Sequence, residues 1–279
     1  MVRFALAICA LLVACAILYG WGMAVRRFAR TEGGSRAVTV ALGLAVLLPI
    51  GGILNLVRLA TPAAMWLIVG IGLALFILHA KSLRMRWPNQ DAAQVEVLLA
   101  VGLVALVTGF AVLTQLPPSA FNYHDDFQKY LAHPVRMLAT GTLFGSPLSA
   151  IGSETLGGLA FLQAFPLLVA PIEYINGVDA ILGFLLLMML GASAGWGRLA
   201  PLPGAALAPL LIAFINPQYV NVSSLFTGAA LMAAALMLLT DDREKFPPSQ
   251  IALGLIYGGL VALKPIFVLF PLAHLRWQC

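Results

Sequence analysis

The chain has 279 residues, of which 61% are hydrophobic and only 10% charged, with a net charge of +5. Water-soluble domains carry about 25% charged residues, so no soluble globular surface can be built from this composition. The positive balance comes mainly from arginines beside apolar runs, where membrane topology places them, and does not indicate a nucleic-acid partner.

The expected fold is therefore an all-α, polytopic integral membrane protein. A bilayer core roughly 30 Å thick takes about 20 apolar residues per span, which leaves room for about 8 to 10 segments. Long runs without strand alternation favour helices over a barrel. Residues 4–25 form the first expected segment. Leu12, Val13, Ala14 and Cys15 resemble a bacterial lipoprotein cleavage box. The apolar sequence nevertheless continues to Val25 and is followed by Arg26 and Arg27, so the segment reads as a retained helix. Cys9, Cys15 and Cys279 suggest no disulfide framework. Arg26, Arg27, Arg30 and Arg36, against the single Arg3, put the N-terminus outside and the loop 26–36 in the cytoplasm. Segment two, 37–57, then runs outward, and a tight turn at Arg58 to Pro62 leads into segment three, 62–79. That segment returns to Lys81, Arg84 and Arg86. Segment four, 94–115, carries the chain out again until Pro117 and Pro118 stop it.

The stretch from Phe121 to Met137 follows on the extracytoplasmic side and crowds ionisable and aromatic residues together. Asp125 and Asp126 are adjacent acids flanked by Tyr123, His124 and Phe127. Lys129, His133 and Arg136 come at spacings that an α-helix stacks on one face, opposite Phe127, Tyr130, Leu131, Val135 and Leu138. The spacing predicts a short amphipathic helix at the membrane surface, with two carboxylates at its start and a basic stripe behind them. Plainer readings stand beside this one. Acids in a first turn also cap helices, a basic stripe also meets anionic headgroups, and Pro134 interrupts the stripe. His124 alone reads as a surface residue, and Glu154 and Glu173 as interfacial.

Four apolar runs follow, at 155–172, 178–196, 200–216 and 222–240. If all four span, the Lys/Arg bias between the two sides disappears, and it returns when the first or the third does not. Gly157, Gly158 and Pro166 weaken the first, and Pro201, Pro203 and Pro209 the third, so one of them is expected to be re-entrant or interfacial. Either choice leaves Asn216 to Ser224 on the side of the acids, where Tyr219, Asn221 and Ser223 can contribute to a polar pocket. The last run, 251–275, is interrupted by Lys264 and Pro265. A lysine in lipid costs about 2.5 to 3.5 kcal/mol, so Lys264 is expected to meet a partner or a wet cavity, or to snorkel from a helix broken at Pro265. The remainder to Leu275 is too short to span, and the ending at Arg276 to Cys279 reads as a truncation.

An outward loop with paired acids, an amphipathic helix behind them and a Lys-Pro pair on a later helix end resembles the GT-C superfamily of polytopic glycosyltransferases, over roughly Gln115 to Leu275. The resemblance implies transfer of a sugar from a polyprenyl-phosphate-linked donor outside the bacterial cytoplasmic (inner) membrane. It implies Asp125 or Asp126 as catalytic base or metal ligand, with a divalent cation as candidate cofactor and Lys264 as a phosphate contact. It divides the chain into an N-terminal three-helix extension, 1–93, and a GT-C-like region, 94–279, that includes the outer loop 116–154. Two departures stand out. Three extra helices precede the acidic loop, and members are usually much longer, with a C-terminal acceptor-binding part that has no counterpart here.

The residue types suit this chemistry without the family. A carboxylate can take the proton of an acceptor hydroxyl, and positive charge or a metal can stabilise the departing phosphate. Lys129, His133 and Arg136 can attract that phosphate at headgroup level. The expected partners are the lipid bilayer and the lipid-linked donor. Two other classes remain open, a non-catalytic membrane scaffold or assembly subunit and a transporter. A transporter would place polar groups at the midplane of several helices, whereas the charges here, Lys264 apart, sit at segment ends.

Overall fold

A computed structural model describes residues 2–31, 35–79, 121–144, 156–193, 222–240 and 250–278, and these are helical with no strand among them. Helix α1 (Val2–Ala29), α2 (Arg36–Leu56) and α3 (Pro62–His79) match the first three expected segments closely. Their ends follow from local chemistry. The Ser35 hydroxyl accepts from the Val38 amide at 3.2 Å and starts α2, and Pro62 opens α3, where its missing N–H costs nothing. After α1 and α2 the chain turns through Arg30 and Arg58 in the left-handed region, at φ 54° and 60°. The Thr31 amide then reaches back to Arg26 O at 3.0 Å and the Leu59 amide to Leu54 O at 2.8 Å. This is the glycine-type helix stop made with arginine, and each cation sits where the helix dipole favours it.

Helix α2 is the centre of the molecule. It is buried along most of its length and belongs to one continuous apolar core with residues from α1 through to the last described helices. Gly22 and Gly43 let α1 and α2 touch backbone to backbone: a methyl group on Gly22 would fall 1.7 Å from Thr39 O. The C-terminal ends of α1 and α3 lie together, with Arg27 and Phe28 facing Leu75, Leu78 and His79. The N-terminal end of α2 is beside them, since the Arg26 guanidinium donates to Thr39 Oγ1 at 2.7 Å.

Beyond the acidic stretch come α4 (Ala132–Thr140) and α5 (Gly158–Leu167). At 1.5 Å per residue the 10 residues of α5 reach about 15 Å, half of a hydrocarbon core. The first of the two doubtful runs is thus a half-length helix enclosed by protein, and Gly157 starts it with φ 84°. The other, 200–216, lies outside the described residues, as do segment 94–115 and the expected division at residue 93. A 3₁₀ turn (Ile172–Ile175), a π-helix (Val178–Gly183) and α6 (Phe184–Ser193) form the next element, which begins earlier than the expected 178. Then follow α7 (Leu225–Thr240), α8 (Gln250–Leu263), a 3₁₀ turn (Pro265–Val268) and α9 (Leu269–Gln278). Among the described residues, four helical stretches are long and apolar enough to cross a membrane: Ile8–Ala29, Arg36–Leu56, Pro62–His79 and Ile172–Gly191.

Helix α8 lies beside α2 and runs the same way. Gly259 abuts Ala45, and Gly158 is wedged between Leu48 O and Ala262 O, so both helices climb together toward Asn55 and Lys264. At Lys264 the backbone is extended and α8 ends. Helix α9 then folds back along α8, held by a hydrogen bond between the Tyr257 hydroxyl and His274 Nδ1 and by the edge-on Tyr257–Phe270 contact.

Candidate functional site

The acidic stretch does not form the single α-helix its spacing predicts. Tyr123–Tyr130 is a π-helix, with i to i+5 bonds such as Leu131 N to Asp126 O at 2.8 Å, and α4 starts afresh after it. The Asn122 side chain accepts from the His124 amide at 2.9 Å, while Asp126 Oδ2 accepts from the Asn122 amide at 2.7 Å. Together these make a reciprocal cap of the capping-box kind, whose acid arm reaches one residue further than in an α-helix because each π turn holds about one residue more. The apolar staple is stretched likewise: Phe121 meets Phe127 edge-on, with ring centroids 6.2 Å apart.

The two acids therefore differ. Asp126 is half-buried and closes the cap. The Asp125 side chain is exposed and makes no hydrogen bond or ion pair among the described residues. The predicted basic face is divided. Lys129 is half-buried, with Nζ 5.8 Å from the centroid of the Tyr130 ring, His133 is buried, and Arg136 is half-buried. The buried side of the stretch is Leu131, His133, Pro134 and Met137, whereas Phe127 and Val135, expected on the apolar face, are exposed. The change of helix type at Leu131 resets the register, and it leaves Pro134 in the first turn of α4, where proline is tolerated.

Packing fixes where this stretch sits. Phe121 and Leu131 form one apolar cluster with Ile175 and Val222, so the start of α7 lies against the acidic segment. Of the expected pocket residues there, Ser223 is half-buried, and Tyr219 and Asn221 lie outside the described residues, as does Glu154. At its other end α4 stops at Gly141, φ 76°, whose carbonyl accepts from the Ala60 amide at 3.0 Å. Asn55, fully buried at the end of α2, accepts from the Leu143 amide at 2.7 Å and donates to Leu156 O at 2.9 Å. The acidic segment is thereby tied to the end of the bundle toward which α2 and α8 climb. Half-buried Lys264, at the α8 break, is at that same end. Glu173 is half-buried in the 3₁₀ turn of the neighbouring element.

Sequence reasoning missed the polar residues inside the bundle. Asp179, only 1% exposed, accepts from the Phe226 and Thr227 amides at 3.1 and 2.7 Å and so caps α7 from another helix. Gln163, equally buried, donates to Val222 O at 2.6 Å. The available signal is the one that marks Lys264, a polar residue interrupting an apolar run, but a run that starts at 178 puts Asp179 at its end. Among the described residues no three His, Cys, Asp or Glu side chains gather as a metal site.

No family model, curated protein or solved structure matches this chain.

Proposed function

We propose that the protein is a membrane glycosyltransferase of GT-C type, transferring a sugar from a polyprenyl-phosphate-linked donor at the extracytoplasmic face of a bacterial cytoplasmic membrane. The observation that carries the reading is the state of Asp125, an exposed carboxylate with no partner among the described residues, in the first turn of a surface segment at the Lys264 end of the bundle. A general base must be open to the acceptor hydroxyl, and Asp125 meets that requirement. Asp126 serves as the cap that holds Asp125 in place. Lys129 on the same π-helix, Arg136 on α4 and Lys264 at the same end of the bundle supply positive charge for a phosphate at headgroup depth. Buried His133 positions α4 instead of meeting the donor directly. A magnesium ion, typically held by one or two carboxylates plus substrate phosphates and water, would take Asp125 as its protein carboxylate.

The test separates the two acids. Asp125→Asn should lower transfer from a polyprenyl-linked donor by about 10² to 10⁴ with normal membrane insertion. Asp126→Asn, which keeps an acceptor oxygen for the Asn122 amide, should retain transfer within a few fold. Transfer undiminished in Asp125→Asn would show that this acid is structural, whereas no transfer by the wild type would favour a membrane scaffold.

A further inference from the structure

We propose that the groove between the C-terminal turns of α1 and α3 binds an anionic phospholipid of the surrounding bilayer, its phosphate on Arg27 and an acyl chain against Phe28, Leu75 and Leu78. The groove holds about 530 Å³, within the roughly 300 to 1,000 Å³ of small-molecule sites. Its walls are apolar and open outward: Phe28 is 76% and Leu78 73% exposed. Such surfaces belong in hydrocarbon, and a lipid chain is the apolar material the bilayer supplies.

Charge selects the headgroup. The Arg27 guanidinium is exposed and has no hydrogen bond or ion pair among the described residues. Arg26, Arg30, Arg36 and His79 gather at the same end of the bundle, and the described residues of α1, α2 and α3 include no acid to answer them. A guanidinium pairs with a phosphate in a bidentate fork, and an anionic lipid, unlike a zwitterionic one, adds no cation of its own to this basic end. His79 is pinned against the wall because its Nδ1–H donates to Leu75 O at 2.7 Å. The site lies at the opposite end of α2 from Asn55 and the acidic segment, so it stands apart from the transferase reading.

The experiment reconstitutes the whole chain in equimolar phosphatidylglycerol and phosphatidylcholine bilayers and counts retained lipid by native mass spectrometry. The wild type should retain phosphatidylglycerol, and Arg27→Gln should retain about tenfold less, as expected for loss of one charge-assisted fork. Arg36→Gln makes the same charge change outside the groove and should lose far less lipid than Arg27→Gln. Leu75→Trp fills the groove with Arg27 intact and should also lose the lipid. Equal retention by Arg27→Gln, equal loss in Arg36→Gln, or equal retention of phosphatidylcholine overturns the site. So does a photoreactive residue at position 78 that links to residues 80–120 of this chain instead of to lipid.

Discussion

Asp179 and Ser224 compete for one task. Ser224 directly precedes α7, where a serine hydroxyl normally accepts from an amide in the helix's first turn. Asp179 already holds the Phe226 and Thr227 amides, and Ser224 Oγ is buried with no hydrogen-bond partner. The carboxylate has thus displaced the local cap and stitched two helices together instead. Removing it with Asp179→Leu strands two buried donors, at about 1 to 3 kcal/mol each, but the Ser224 hydroxyl can rotate to recover one. Ser224→Ala alone should leave the melting temperature in detergent nearly unchanged, Asp179→Leu should lower it, and the double variant should lose more than the sum. Strict additivity of the two would mean that Ser224 is no reserve cap.

Asn55 works at the scale of elements, since its amide joins the end of α2 to the exit of α4 and the entry of α5. The Thr142 hydroxyl adds a bond to Asn55 O at 2.9 Å. Asn55→Leu should release residues 142–143, and hydrogen exchange at the Leu143 amide should speed up while the core of α2 stays protected. An unchanged Leu143 rate would refute this anchoring role. Such long-range links explain what the sequence could and could not disclose. Helices α1, α2 and α3 were legible because uninterrupted apolar runs meet arginines, Ser35 and Pro62 at their ends, all of them local signals. The π-helix was not legible: Asp126 caps Asn122 only once the turn is widened, and periodicity assumes a turn of fixed size. Asn55 lies 88 residues from Leu143, and Asp179 lies 47 from Phe226, so neither partner appears in any local window. At the candidate site the acids were visible by type, but their unequal roles depend on that cap.

At the scale of the whole molecule, orientation and geometry constrain each other. Because α2 and α8 lie side by side and point the same way, Arg36 and Gln250 must face one side of the membrane. The turn at Lys264 and the acidic segment tied to Asn55 must face the other. Charge sets the expected sides, since Arg26, Arg27, Arg30 and Arg36 cluster at the first end and arginines are favoured in the cytoplasm. In a chain whose native cysteines are replaced, single cysteines at positions 123 and 266 should react with a membrane-impermeant maleimide in intact cells. Cysteines at 36 and 250 should react only after permeabilisation. If 36 and 250 label from opposite sides, the parallel packing of α2 and α8 is wrong. If both pairs keep their grouping but exchange sides, the packing survives, while Asp125 faces the cytoplasm and cannot serve an extracytoplasmic transfer.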